Sequence, residues 1–201
     1  MKRFFAILLV MCLLCTCWAE ETETETETAE LGEGEILMHG YISPFANYYI
    51  GVPAEWCLIG AGSTGENLSQ ASEELEDVDV YGLYNQMKAG NDVLYAVSPS
   101  GEGLILTYGS SSGVGNDAIV DSLDEIKAAL SEQYSGVVFD EDSGSYTYNS
   151  IYEILYIGMN YKNRNIYQYY LVTGTVMYIF TFFGTSSDIA ETVLSTFSMA
   201  D

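Results

Sequence analysis

Basic residues are scarce in this chain of 201 residues, where six Lys and Arg stand against 29 Asp and Glu. Six cations cannot neutralise a useful run of phosphates, so the composition excludes nucleic-acid binding. Histidine occurs once, as His39, which removes most histidine-dependent catalysis and most histidine-rich metal sites. Hydrophobic residues nevertheless make up 48% of the chain. That share is enough for one hydrophobic core and argues against a wholly disordered acidic protein.

Cysteine is equally rare outside the N-terminal segment. Cys12, Cys15 and Cys17 precede the rest of the chain, which holds only Cys57. One cysteine cannot form an internal disulfide, and no Cys-x-x-Cys pair remains for zinc or redox chemistry. Because Cys57 lies in the apolar run 56–59, we predict a buried structural cysteine rather than a reactive thiol.

The longest apolar run is too short to span a bilayer. Lys2 and Arg3 precede apolar residues 4–14, a pattern typical of a secretory signal peptide. Two endings stay open: cleavage after Ala19, or lipidation at Cys17, since residues 14–17 loosely resemble a bacterial lipobox. We therefore predict a signal peptide over 1–19 and a secreted or lipid-anchored protein at the cell surface.

A repetitive acidic segment follows the signal peptide. Glu-Thr occurs four times in succession over 21–28, and residues 20–35 hold eight Glu. Like charges repel and no apolar face repeats, so residues 20–38 are predicted to be a disordered tether. Residues 36–201 keep four cations and 21 acidic residues, a net charge near −17.

Residues 39–201 are predicted to be one globular domain. Helices are predicted within 69–88, over 117–133 capped by Asn116 or Asp117, and over 188–197 capped by Ser187 or Asp188. Strands, several joined as hairpins, are predicted over 48–52, 56–59, 92–97, 104–108, 137–140, 146–148, 151–161, 166–173 and 176–183.

The last of these strands is apolar at both alternating sets of positions. Tyr178 and Phe180 would face one side of the sheet, and Met177 and Ile179 the other. A sheet with two apolar faces needs cover on both. The predicted fold class is therefore α+β, a mostly antiparallel sheet sandwiched between helices on both faces.

The element order and two local motifs resemble a known family. The segment YYIGVPAEW (48–56) is similar to the F-x-(F/V)-x-(V/I)-P-x-x-W opening of the PsbP-like superfamily, and VLSTFS (193–198) is similar to its closing helix. The resemblance covers residues 40–200 and implies an antiparallel sheet with helices on both sides. Bacterial members are exported proteins or lipoproteins, plant members are non-catalytic subunits at photosystem II, and the related Mog proteins bind a GTPase. The superfamily shares no catalytic set, so the resemblance implies none here.

Two glycine-rich motifs are better explained as loops. Residues 60–65 match G-x-G-x-x-G, but no apolar helix follows as a dinucleotide site requires. Residues 109–113 match G-x-S-x-G, but Ser111 has no later histidine to complete a hydrolase triad.

One acidic turn resembles the start of a calcium loop. In residues 140–145, Asp140 and Asp142 alternate before a glycine, but Ile151 stands where the closing Glu belongs. A solvated turn is the simpler reading, and weak Ca²⁺ binding by Asp140 and Asp142 is the candidate cofactor interaction.

Seventeen tyrosines are the remaining peculiarity of the composition. Most fit strands and the core, while a subset could form an exposed aromatic platform for a glycan or a protein. The candidate partner-binding residues are Tyr152, Tyr167, Tyr169 and Tyr170.

The sequence is compatible with two functions. The first is a monomeric, non-catalytic binding domain that engages a protein of the cell envelope and reaches the membrane only through an N-terminal lipid anchor. The alternative is an extracellular hydrolase of polymers that uses Asp92, Glu153 or the acids of residues 140–142.

Overall fold

The computed structural model describes residues 38–43, 48–60, 63–76, 78–90, 93–150 and 152–199. The predicted signal peptide, Cys17, Asp92 and the predicted tether up to residue 37 lie outside these residues. Met38 is the first residue of the first described strand. Among the described helices, none has the length and apolar character needed to cross a membrane.

The described residues form short helices and antiparallel strands. The helices are α1 (Gly65–Glu74), α2 (Val80–Gly90), α3 (Asn116–Val120), α4 (Leu123–Gln133) and α5 (Ser187–Ser195). The strands are β1 (Met38–Ile42), β2 (Tyr48–Pro53), β3 (Cys57–Ile59), β4 (Val93–Val97), β5 (Gly103–Ser110), β6 (Val138–Phe139), β7 (Gly144–Tyr148), β8 (Tyr152–Tyr161), β9 (Arg164–Thr173), β10 (Val176–Phe183) and β11 (Ser198–Met199). The predicted α+β class with mostly antiparallel pairing is confirmed.

The strands form two sheets. The larger has eight strands in the order β3-β4-β5-β10-β9-β8-β6, with β7 also paired to β8. The predicted hairpins β4–β5, β8–β9 and β9–β10 are present. The β8–β9 turn consists of Lys162 and Asn163, both at positive φ, rather than the four residues predicted. The smaller sheet joins β1, β2 and β11.

Alternate residues of β10 enter different hydrophobic clusters, as the sequence pattern predicted. Tyr178, Phe180 and Phe182 pack with residues of β2 and α5 in the first cluster. Met177 and Ile179 pack with residues of α3 and α4 in the second. A third cluster joins α1 and α2 to residues of β3, β4 and β5.

The helix predicted over 117–133 is divided in two. Between α3 and α4, the Ser122 hydroxyl donates to the Ala118 carbonyl at 2.8 Å, a backbone contact that bends helices. The helix over 188–197 instead spans Ser187–Ser195. Its N-cap is Ser186, whose hydroxyl accepts the Ile189 N–H, so the caps predicted at Ser187 and Asp188 were wrong by one or two residues.

Asn116 does not cap α3, contrary to prediction, because it extends the sheet instead. The N-cap position is Gly115, which has no side chain to offer. The Asn116 amide accepts from the Val172 N–H at 2.7 Å and donates to the Val172 carbonyl at 3.1 Å. The β8–β9 register ends at Leu155 and Tyr170, so Asn116 satisfies backbone groups of β9 beyond that end.

The C-terminal end of α5 is fastened to the smaller sheet. The Thr196 hydroxyl accepts the Gly51 N–H at 2.8 Å and donates to the Val193 carbonyl at 2.6 Å. A side chain at Gly51 would crowd Thr196, with the nearest atom at 3.3 Å. The small residue in β2 therefore allows the helix end to approach the strand closely.

Candidate functional site

The predicted tyrosine platform does not exist as an exposed surface. Tyr152 is 46% exposed, but Tyr167, Tyr169 and Tyr170 are buried. The reason is that β9 is an interior strand, paired with β8 on one side and β10 on the other. Tyr169 belongs to the first hydrophobic cluster and Tyr170 to the second, so the two rings lie on opposite faces of the sheet.

The buried hydroxyl of Tyr170 is satisfied by neighbouring side chains. Its hydroxyl donates to the Gln168 side-chain oxygen at 2.8 Å, and the Gln168 amide donates to the Thr181 hydroxyl at 3.2 Å. All three side chains are buried. The chain of hydrogen bonds therefore satisfies polar groups inside the protein.

A different set of tyrosines gathers beside α5. Strand pairing places Tyr156 opposite Tyr169, and Gly158 opposite Tyr167. Tyr146 approaches from β7, and acidic side chains approach from α5 and from the turn after β6. We call this set the tyrosine–carboxylate cluster, and its members are Tyr146, Tyr156, Tyr167, Tyr169, Asp140, Asp188 and Glu191.

The rings of the cluster contact one another. Tyr169 lies between Tyr156 and Tyr146, with ring centroids 5.1 and 5.3 Å away. Tyr156 and Tyr167 stack at 6.4 Å with an interplanar angle of 21°. Tyr146 and Tyr156 are half-buried, whereas Tyr167 and Tyr169 are buried. The set therefore has a closed inner end and a partly open outer end.

Gly158 makes room for the acidic side of the cluster. A Cβ at this position would collide with the Asp140 carboxylate and with the Tyr156 hydroxyl. Both polar groups therefore occupy the space above Gly158. The turn that carries Asp140 is held against β8, because the Asp140 backbone N–H donates to the Gly158 carbonyl at 2.8 Å.

Burial and negative charge together favour the neutral form of these tyrosines. Burial is the largest cause and, with the charges of Asp140 and Glu191, raises the pKa of Tyr156 to about 12. The pKa of Tyr146 is also raised, by burial first and then by Glu191, whose carboxylate accepts a hydrogen bond from the tyrosine. Burial also raises the pKa of Tyr169, and among the neighbouring charged groups Glu191 contributes most to that rise.

Tyr169 carries a buried hydroxyl that has no partner among the described residues. The residue is 0% exposed, and its hydroxyl makes no hydrogen bond to any part of the chain that the structure describes. An unsatisfied buried hydroxyl costs about 1–3 kcal/mol. Such a group in a folded protein calls for an explanation, and a ligand or a water molecule is the ordinary one.

The calcium prediction remains a prediction. Asp140 and Asp142 are exposed in the turn between β6 and β7, and the Ser143 hydroxyl closes that turn on the Asp140 carbonyl at 2.9 Å. Among the described residues, no group of three or more His, Cys, Asp or Glu is placed to hold a metal ion. Any Ca²⁺ here would need further oxygens from the backbone, hydroxyls or water.

Two of the described acids that were predicted for hydrolysis do not converge. Ile154 packs in the first cluster, so the adjacent Glu153 points to the opposite face of the sheet. Asp140 lies over Gly158. Gly158 is on the same face of β8 as Ile154 and Tyr156, because alternate residues of a strand share a face. Glu153 and Asp140 therefore project from opposite faces.

The glycine-rich motifs have structural roles. Thr64 caps α1 in a reciprocal pair with Asn67, whose backbone N–H donates to the Thr64 hydroxyl at 3.2 Å. Ser111 is fully buried. Cys57 is buried as predicted, and its thiol donates to Glu74 at 2.9 Å.

Sequence reasoning identified the Tyr169 neighbourhood but not its composition. Tyr156, Asp188 and Glu191 were missed because strand register and the placement of α5 bring them together. The usable signal was the alternation of Tyr156 and Gly158 around Ile157, which puts a ring and a gap on one face of β8.

Comparison with known proteins supports a fold but no closer relationship. No protein-family model matches the sequence, and no curated protein matches it. The solution structure of cyanobacterial PsbP (CyanoP) from Synechocystis matches at a TM-score of 0.50 and 15% identity, covering 84% of this chain and 95% of that one. A crystal structure from Bacteroides thetaiotaomicron matches at a TM-score of 0.39 and 10% identity, covering 81% and 48% respectively. By its likeness to CyanoP, and in agreement with the sequence motifs, the chain has a PsbP-like fold.

Proposed function

We propose that the protein is an exported, non-catalytic accessory domain that engages a protein partner at the cell envelope. The observation that carries the proposal is the PsbP-like fold, shared over most of both chains with CyanoP. The positively charged start, apolar residues 4–14 and the acidic tether agree with export. Lipidation at Cys17 would hold the domain at a membrane, and cleavage after Ala19 would release it.

The proposed architecture has three layers. In it, α5 and the smaller sheet cover one face of the larger sheet, while the other four helices cover the opposite face. The division of β10 side chains between the first and second clusters supports this arrangement. Both faces of the sheet are then occupied, and partners would meet the rim or the outer layers.

We place the partner contact on the smaller sheet. Ile42 is 64% exposed and lies directly opposite Tyr49, which is 36% exposed. The Tyr49 ring extends over Gly40, where a Cβ would collide with it. An exposed aliphatic–aromatic pair of this kind is typical of the anchors of protein interfaces. Tyr152 is a second, separate candidate.

The test is affinity capture from the native envelope with the full chain as bait. A Ile42→Ser, Tyr49→Ser double variant should capture the partner about tenfold less, since two apolar anchors are lost. Val138→Ser is the control, because Val138 is equally exposed but lies in β6 of the other sheet. Undiminished capture by the double variant would move the contact elsewhere. Cleavage of an extracellular polymer without any captured partner would overturn the proposed function in favour of a hydrolase.

A further inference from the structure

The buried Tyr169 hydroxyl is surrounded by the cluster and has no hydrogen-bond partner in the described ranges of the chain. The rings of Tyr156 and Tyr146 flank it at 5.1 and 5.3 Å. The electrostatic influences on the hydroxyl come from Glu191 and the neighbouring tyrosines. Whatever satisfies this hydroxyl must therefore be compatible with ring faces, hydroxyls and a carboxylate.

The charges around the cluster share one sign. The acidic groups that act on Tyr156, Tyr167 and Tyr169 are all exposed, and they are Asp140, Asp142, Asp188 and Glu191. Negative potential at a partly open aromatic surface attracts cations and repels anions. The ligand implied by these groups carries positive charge.

Aromatic rings select among cations. A ring face attracts an ammonium group placed within about 6 Å of its centroid. Described residues of the chain already make this kind of contact: the Lys127 ammonium lies 5.5 Å from the Phe139 ring, and the Lys162 ammonium 5.4 Å from the Tyr161 ring. Calcium instead takes six to eight oxygen ligands and gains nothing from ring faces.

We propose that the tyrosine–carboxylate cluster binds a primary ammonium group, carried by a small amine or by a lysine side chain of another protein. The ammonium group donates to the Glu191 carboxylate and, when the Tyr146 and Tyr156 side chains move apart, to the Tyr169 hydroxyl oxygen, which they enclose in the free protein. The half-buried rings of Tyr146 and Tyr156 cover its hydrocarbon stem. The site is independent of the export and partner role proposed above.

The probe is n-butylammonium chloride, titrated into the full chain and followed by the amide NMR shifts of β7, β8 and β9. The matched controls are n-butanol, which keeps the stem but lacks the charge, and sodium chloride. We expect a saturable shift centred on Tyr146, Tyr156 and Tyr169 with the ammonium salt alone. An equal response to n-butanol, or no saturable shift, would overturn the proposal. So would a shift of the same residues by Ca²⁺ that n-butylammonium does not produce.

Two substitutions separate binding from folding. Glu191→Gln removes an exposed charge and should weaken binding about tenfold, whereas Glu132→Gln on α4 should leave it unchanged. Tyr169→Phe deletes the unpaired hydroxyl and should weaken binding several-fold while leaving the free protein at least as stable. Unchanged binding in Glu191→Gln, or in a folded Tyr169→Phe, contradicts the proposal.

A lysine peptide then identifies the source of the ammonium group. If an N-acetylated Gly-Lys-Gly amide binds at least tenfold more tightly than n-butylammonium, the natural ligand is a partner's lysine. If the two bind equally, the site takes free amines, and both results uphold the ammonium chemistry. Failure of both probes would overturn it without bearing on partner capture through Ile42 and Tyr49.

Discussion

The Tyr148 hydroxyl donates a buried hydrogen bond of 2.7 Å to the Phe197 carbonyl, joining β7 to the residue before β11. Tyr148→Phe keeps the ring but removes this buried hydrogen bond to the Phe197 carbonyl. We expect the free energy of unfolding to fall by about 1–3 kcal/mol.

Urea unfolding followed by circular dichroism measures this loss. Tyr152→Phe is the matched control, because Tyr152 lies opposite Tyr148 in the β7–β8 pairing but is exposed. Its unfolding free energy should change by no more than about 0.5 kcal/mol. Equal losses in the two variants would show that the bond to Phe197 contributes nothing specific.

Asn116 should be more important for stability than its exposed neighbour. Asn116→Ala leaves the N–H and carbonyl of Val172 without the amide that pairs with them, at a cost of about 1–3 kcal/mol. Asp117→Asn, at an exposed position in the first turn of α3, should cost about 0.3–1 kcal/mol through the helix dipole. Thermal denaturation of both variants tests the ranking, and the reverse order would contradict it.

The cluster tyrosines make the fold sensitive to alkali. Tyr156 keeps its proton in the folded state up to a pKa of about 12, whereas an unfolded tyrosine loses it near pH 10. The unfolded state therefore binds fewer protons above about pH 10, and stability falls as pH rises through this window.

Unfolding free energies measured between about pH 9 and pH 12 test this sign, with phenolate absorbance as an independent readout. Tyr156→Phe should flatten the decline, and Tyr152→Phe should not. A stability that stays constant or rises with pH in this range would contradict the burial of these hydroxyls.

Cys57 should be nearly inert in the native protein. Burial, together with the hydrogen bond to Glu74 and its charge, raises the pKa of the thiol to about 12. Because the thiolate is the reactive form, alkylation at pH 8 should be at least roughly 100-fold slower than in urea.

Peptide mapping of the Cys57 adduct over time measures the rate without interference from other cysteines. Glu74→Gln should accelerate the reaction, since it removes the charge that opposes ionisation. Glu73→Gln, at the adjacent exposed position, is the control. A native rate equal to that in urea would mean that the thiol is accessible and ionised normally.

Calcium should stabilise the protein if the acidic turn binds it as the sequence predicts. With an affinity in the millimolar range usual for extracellular modules, 10 mM Ca²⁺ would raise the melting temperature by about 3–6 °C. Asp142→Asn should abolish the rise and Glu141→Gln should keep it. A melting temperature that Ca²⁺ does not change would contradict Ca²⁺ binding by this turn.

The large sheet was predictable because its signals are local. In β10, alternate residues such as Phe180 and Ile179 are apolar on both faces, and that pattern alone required cover on both. The hairpins were likewise visible from short polar joints. The strands β1 and β11 were not predicted, since they acquire their identity only by pairing with β2.

The cluster was harder to predict because exposure depends on tertiary neighbours. Tyr152 and Tyr169 are the same residue type in adjacent strands, yet one is at the start of β8 and the other is enclosed between β8 and β10. Likewise, Asn116 was predicted to cap a helix from its local sequence. Its actual partner, Val172, lies 56 residues away and could not be seen from that sequence. Local propensity cannot distinguish such cases.

The attachment of Thr196 to Gly51 joins residues 145 positions apart in the chain. The first hydrophobic cluster includes both Ile50 and Phe197, so it cannot be completed until Phe197 has left the ribosome. Contacts of such long sequence separation slow folding, because the loop must close before they form. We therefore expect folding to follow translation rather than accompany it, which leaves an interval in which the newly made chain is unfolded.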